Sequence, residues 1–203
     1  MNWKTYSITL RYYDFLEKNF FPILKNKNIS PAQISFAGFV FALLVPLGFW
    51  LHIFWGLLLI LLSGFSDSID GQYARITKRV SIQGAFWDSV LDRISDAFYL
   101  MGIFILFLKQ GKWVFVAGNV ILFVLLLCFL ISYIKAKAES LGISCESGIM
   151  DRATRTVYLI IWLFLILIFG MKDGLMWVGL TLFMLLCFIT VVQRLIEVNV
   201  KIK

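Results

Sequence analysis

The stretch LLLILLSGFSDSIDGQYAR occupies residues 57–75, and SIQGAFWDSVLDRISD follows it at 81–96. The first begins as membrane-compatible helix and ends in carboxylates. The second begins with carboxylates and runs on into apolar sequence. Asp67 and Asp70 are three apart, and Asp88, Asp92 and Asp96 recur every four, so each set lies on one face of a helix. A turn near 76–83 folds the second helix back beside the first and brings up to five carboxylates toward one point. An acid in mid-membrane costs about 2.5–3.5 kcal/mol on insertion scales, so five of them demand a cation, a metal or a wet cavity.

The surrounding chain sets the environment. Of 203 residues, 61% are hydrophobic and only 15% charged, against about 25% charged in a soluble domain. A soluble globule, a disordered chain and a disulfide scaffold are thereby excluded. The fold class is an all-α integral membrane protein, with residues 1–203 as one membrane domain. Three cysteines without a CxxC spacing give no metal-thiolate site and no required disulfide. The net charge of +7 fits anionic lipid headgroups and a phosphorylated substrate rather than nucleic acid.

Six transmembrane helices are expected, at about 34–51, 54–75, 84–108, 113–133, 156–169 and 175–192. The shorter ones reach the roughly 20 residues that hydrocarbon requires only with their polar ends included. Ser30 and Pro31 mark the first helix start, as cap and first-turn residue. Residues 1–29 form a cytoplasmic interfacial arm, an amphipathic helix. It mixes Tyr6, Tyr12, Tyr13, Phe15, Phe20 and Phe21 with Lys4, Arg11, Lys18, Lys25 and Lys27. The plainer reading of the arm is a surface helix packed on the bundle. No cleavable signal peptide is evident. The turns after spans 1, 3 and 5 hold only Lys109, Lys112 and Lys172, Arg93 lies within span 3, and the other basic residues fall on the opposite side. The positive-inside rule then places both termini and the acidic cluster at the cytoplasmic face of the cell membrane, in a multi-pass arrangement.

Carboxylates without His or Cys select Mg²⁺, Mn²⁺ or Ca²⁺ over zinc. Shared carboxylates can bridge two such ions, and a further carboxylate beside them can act as general base. Two other readings stay open on the residues alone. The acids could form salt bridges with Arg75, Arg93, Arg152 and Arg155, or they could serve an ion-conducting transporter. The transporter fits less well, because the acids gather at one membrane face.

The pattern Asp67, Asp70, Gly71, Ala74, Arg75, Gly84, Asp88 and Asp92 resembles the signature of the CDP-alcohol phosphotransferases at all eight positions and in all spacings over 26 residues. The six-span layout agrees with that family. The resemblance implies transfer of a phosphatidyl-type group from a CDP-linked lipid donor to an alcohol, with release of CMP. It implies Asp67, Asp70, Asp88 and Asp92 as ligands of two divalent ions, Mg²⁺ or Mn²⁺, and Asp92 as the catalytic base. It implies Asp70, Gly71, Ala74, Arg75 and Gly84 as CDP-binding residues. Relatives often carry Asn early in span 1; here Gln33 and Ser35 keep polarity there and join the CDP-binding candidates. A homodimer is also implied. Gly38, Gly48, Gly56 and Gly118 could mark close packing between copies or within one chain. The chemistry supports these residue types independently. Glycine admits a ligand against the backbone, and arginine offers a planar fork to phosphate oxygens. The rival reading of the glycines is helix packing.

The acceptor is read from SYIKAKAESLG at 132–142 and GIMDRATR at 148–155. Lys135, Arg152 and Arg155 could converge beside the acids, and Arg152 and Arg155 share a helix face. Three cations exceed what a neutral alcohol requires, although the positive-inside rule alone also places basic residues here. The tract resembles the inositol-phosphate branch, which makes phosphatidylinositol phosphate or its archaeal ether-lipid equivalent. Lys135, Arg152 and Arg155 would then bind the acceptor phosphate. Asp151 and Thr154 depart from the branch, where Glu is usual. The expected reaction joins CDP-diacylglycerol or CDP-archaeol to myo-inositol 1-phosphate. Glycerol 3-phosphate is the closest alternative acceptor, CDP-inositol with a diinositol phosphate product a further one. A cation-binding transporter or membrane scaffold is the alternative of a different class. Asp96 lies outside the signature, with Arg93, Lys137 or the cavity itself as its possible neighbours.

Overall fold

In the computed structural model, residue 14, residues 16–19 and residues 21–202 are described. Among them run seven helices: α1 (Phe21–Asn26), α2 (Pro31–Leu51), α3 (Ile53–Ile76), α4 (Ile82–Gln110), α5 (Val114–Ser140), α6 (Arg152–Phe169) and α7 (Asp173–Ile202). Their ends follow local chemistry. Ser30 caps α2 by accepting from the Gln33 amide at 3.2 Å, and Gln33 Oε1 accepts from the Ser30 amide at 2.8 Å. Pro31 occupies the first turn, where its missing N–H costs nothing. One extended residue, His52, ends α2 and caps α3 through Nδ1. Ser81 caps α4, Gly111 closes it in the left-handed region at φ 72°, and Asp151 caps α6.

Helix α2 lies against α3 and α4, α5 against α7 and α4, and α6 against α3. Small residues let them approach. A Cβ on Gly56 would stand 2.2 Å from the Phe49 ring, and one on Gly38 would stand 2.8 Å from Ser66 Cβ. Gly48 likewise meets Gly56 and Leu59, and Gly118 meets Phe104. All four glycines therefore mark packing within the chain. The main core gathers Val45, Phe49, Tyr99, Phe107, Leu163 and Phe183, among others. A smaller cluster joins Leu16, Phe21 and Leu24 of the arm to Ile34, Ile69 and Tyr73 of the bundle. Its polar side is outward, with Lys18 paired to Asp14 at 2.9 Å and Lys25 and Lys27 exposed. The described end of the arm thus packs on α2 and α3. Met1 to Tyr13, with Lys4, Tyr6, Arg11 and Tyr12, and also Phe15 and Phe20, lie outside the described residues.

Among the described residues, five helices are long and apolar enough to cross a membrane: α2, α3, α5, α6 and α7. The protein is thus a multi-pass membrane protein. Helix α4 is the exception by composition rather than length. Its 29 residues span about 44 Å at 1.5 Å each, but Asp88, Asp92, Arg93 and Asp96 fill its first half. The expected helix at 175–192 is longer than its apolar part, since α7 continues to Ile202. Cys128, Cys145 and Cys187 are free and buried.

Candidate active site

The last turns of α3 and the first turns of α4 lie side by side, with the start of α2 and the start of α6 closing the other sides. One carboxylate oxygen each from Asp67, Asp70 and Asp88 falls within 4.8 Å of the others. Ser35, Gly38, Ser63, Asp92, Ser95 and Arg152 also line this small cavity, with Phe39 and Leu91 as its apolar wall. Tyr99 braces it from below, donating to Ser63 Oγ at 2.7 Å, while Ser63 donates to Gly38 O at 2.7 Å. Asp70 Oδ2 is buried without a hydrogen-bond partner. Burying an ionised oxygen in that state is costly unless a cation faces it. An all-oxygen donor set of this size fits Mg²⁺ or Mn²⁺, which Asp67, Asp70 and Asp88 would hold.

Asp92 stands one turn beyond Asp88 and forms an ion pair with Arg152. The same guanidinium reaches Asp67 Oδ1 at 2.5 Å. Asp92 and Arg152 also line a second cavity, of about 480 Å³, whose wall includes Lys135, Arg155 and Arg194. The acidic and basic cavities therefore adjoin through one ion pair. Lys135, Arg152 and Arg155, picked out by sequence, come together here. Lys135 sits at the exposed rim, 3.8 Å from Glu139. Arg155 is buried, with Nη2 on Asp96 Oδ2 at 2.6 Å and Nη1 donating to Met150 O at 3.1 Å. This pairing gives Asp96 its place, which the sequence left open. Arg93 turns instead to its own helix and donates to Ser89 O.

The CDP candidates divide. A Cβ on Gly71 would meet nothing closer than Arg75 Nη1 at 3.8 Å, so that face is open, with the guanidinium lying over it. Gln72 Oε1 holds Arg75 at 3.0 Å. Ala74 is half-buried on the same turn. Gly84 is exposed in the first turn of α4, its amide donating to Ser81 Oγ at 3.0 Å. Ser35 lines the acidic cavity. Gln33 is not brought to it, because its side chain is engaged in the α2 cap.

Arg194 is the residue that sequence reasoning passed over. It is buried on α7, donating to Ile131 O at 2.5 Å and Ser147 O at 3.0 Å. By sequence it was one more basic residue near the inner end of a span. The available signal was the spacing of Thr190, Arg194, Glu197 and Lys201, which puts four polar residues on one face of the helix.

The sequence profile of the CDP-alcohol phosphatidyltransferases matches residues 28–188. The chain belongs to this family. The chain is a metal-dependent CDP-alcohol phosphotransferase, and the cluster of Asp67, Asp70 and Asp88 is its candidate metal-binding feature. The similarity favours one branch. The chain is 35% identical to the phosphatidylinositol phosphate synthase of Cutibacterium acnes over 194 residues, covering 87% of this chain and 88% of that one. It is 32% identical to the archaetidylinositol phosphate synthase of Pyrococcus horikoshii over 183 residues, covering 89% of each. Among solved structures, the phosphatidylinositol phosphate synthase of Mycobacterium tuberculosis with CDP-DAG bound superposes with a TM-score of 0.76 at 27% identity, over 89% of this chain and 94% of that one. The same enzyme in complex with manganese and citrate gives 0.73 at 27% identity, over 88% of this chain and 86% of that one.

Proposed function

We infer that this transferase moves a phosphatidyl-type group from CDP-diacylglycerol or CDP-archaeol to myo-inositol 1-phosphate and releases CMP. The observation that carries the reading is the shared wall of the two cavities, Asp92 and Arg152, between three carboxylates and a set of cations. The synthases of both lipid types among its relatives favour the same acceptor class.

The division of labour follows from position. Asp67, Asp70, Asp88 and Asp92 would hold Mg²⁺ or Mn²⁺, two ions per site, which would supply the charge that a diphosphate and a departing CMP require. Gly71 and Gly84 leave room for the nucleotide beside the helix backbone, with Ala74, Arg75, Asp70 and Ser35 around it. Lys135, Arg152 and Arg155 hold the acceptor phosphate. Asp92 accepts the proton of the inositol hydroxyl as its oxygen attacks the phosphorus attached to the lipid. The new O–P bond forms as the bond to the bridging oxygen breaks, and CMP leaves with that oxygen. Placing this rim at the cytoplasmic face follows from the basic residues, which cluster at that end. The same distribution supports α4 as a sixth span and both termini inside, and the short connections between helices support residues 1–203 as one domain. A homodimer through the membrane helices completes the proposal.

CMP release by the purified protein tests it. CDP-diacylglycerol and CDP-archaeol are supplied with Mg²⁺ or Mn²⁺, against inositol 1-phosphate, glycerol 3-phosphate, free inositol and serine. Stimulation by inositol 1-phosphate alone is expected. Preference for glycerol 3-phosphate would overturn the acceptor and keep the metal chemistry. Absence of release with every lipid donor would turn the assay to CDP-inositol, and silence there to a non-enzymatic role.

A further inference from the structure

Helix α7 does not stop where its apolar stretch ends, and its extension has work that the reaction itself does not explain. Thr190, Arg194, Glu197 and Lys201 are spaced by four, three and four, so they form one stripe on that helix. Every one of them holds the segment 144–150, which joins α5 to α6. Thr190 Oγ1 accepts from the Met150 amide at 3.0 Å. Arg194 Nε donates to Ser147 O at 3.0 Å. Glu197 accepts from the Ser147 amide at 2.8 Å and from the Glu146 amide at 3.3 Å. Lys201 donates to Ser144 O at 2.8 Å and pairs with Glu197 at 2.6 Å. The fit is close: at Gly148, where φ is +114°, a Cβ would stand 2.6 Å from Thr190 Cγ2.

This strap runs directly into the acceptor cavity. Met150 O receives Arg155 Nη1, and the next residue, Asp151, caps α6 by accepting from Thr154 N at 2.9 Å. Arg152 and Arg155 follow within that first turn. Their guanidiniums are thus located by where the strap ends, and the strap is located by α7. Arg194 both holds the strap and lines the cavity, so its substitution cannot separate the two roles. Glu197 holds the strap and is not among the residues lining the cavity.

We propose that Glu197 is a positioning residue for the acceptor cavity: through the 144–150 strap it sets where Arg152 and Arg155 stand, and with them the affinity for a phosphorylated acceptor. The inference rests on the reading of that cavity given above. Two adjacent backbone amides and one ammonium share this carboxylate, and hydrogen bonds to a charged group are among the stronger ones in a folded chain.

The test compares wild type, Glu197→Ala and Glu197→Gln by steady-state CMP release and by amide exchange across 144–150. Glu197→Ala is expected to raise the KM for inositol 1-phosphate about tenfold, the equivalent of losing roughly one such hydrogen bond, while kcat and the donor KM stay within about twofold. Glu197→Gln keeps an accepting oxygen and should fall between. The Glu146 and Ser147 amides should exchange faster in both. An unchanged acceptor KM, or a loss shared equally by donor KM and kcat, overturns the proposal. Where Glu197→Ala fails to fold, Glu197→Gln and Lys201→Ala carry the same comparison. Should wild type prefer glycerol 3-phosphate, the inositol reading falls and the split is measured with that acceptor. Wild type that uses no phosphorylated acceptor overturns both.

Discussion

Asp92 has two neighbours of opposite kinds, the carboxylate trio behind it and Arg152 in front. Its substitution by Asn keeps size and removes the capacity to take a proton. Asp92→Asn should lower kcat by about 10²–10⁴, the usual contribution of a positioned base, while donor binding is largely retained. CMP release alongside a CDP-lipid binding measurement separates the two. Asp67→Asn should instead weaken metal and CDP binding together, since Asp67 belongs to the trio. Arg155 adds a complication of burial. Arg155→Ala leaves Asp96 as an uncompensated buried charge, a loss of about 3–5 kcal/mol for a pair of this kind. The double variant with Asp96→Ala should regain much of the thermal midpoint without regaining the acceptor KM. An acceptor KM that recovers with stability would show that Arg155 acts on the fold alone. At this scale the four signature acids were legible, because spacing alone puts them on facing stripes. Arg194 was not, because one basic residue near a span end looks like any other topogenic charge.

Helix ends were legible where a cap announces them. Ser30 and Pro31 predicted the start of α2, and the structure supplies the Gln33 half of the box, which took that side chain away from the cavity. The end of α7 was not legible. A reading by apolarity stops near Val192, whereas the polar turns that follow stay helical because they carry the strap. Packing between elements was half legible. Glycines at 38, 48 and 56 signalled close approach, but only the fold shows that the partners are internal. Gly56→Ala places a Cβ into the Phe49 ring and should cost about 1–3 kcal/mol by overpacking, read as a lower thermal midpoint in detergent. Since α2 and α3 carry Ser35, Asp67 and Asp70, activity should fall in parallel with stability. A variant as stable as wild type would show that Phe49 can step aside.

The molecule as a whole separates its chemistry from its anchorage. Among the described residues, five helices long and apolar enough to cross a membrane turn Phe, Leu and Ile outward, while the acids, the arginines and the strap occupy one end. Metal removal should therefore silence the enzyme without dissolving the bundle. Chelation is expected to abolish CMP release, and added Mg²⁺ or Mn²⁺ to restore it, with the helical signal unchanged throughout. Loss of helicity on chelation would mean that the carboxylate cluster cannot tolerate its own repulsion and that the ion is part of the fold.

Among the described residues, helix α4 is the one long helix too polar to qualify as a membrane crossing by itself, and this has a consequence for how the chain is made. Asp67 meets its arginine 85 residues later, and Asp96 meets its own 59 residues later. During synthesis the acids leave the ribosome well before Arg152 and Arg155 exist. Until then α4 would wait near the insertion machinery or in water with its charges uncovered, while α2, α3 and α5 are apolar enough to insert by themselves. The arginines of α6 would thus complete an insertion as well as a substrate pocket. In a nascent chain ending at Ser140, a cysteine introduced in α4 by Leu100→Cys should remain open to a water-soluble thiol reagent, and in one extended through Phe169 it should be protected.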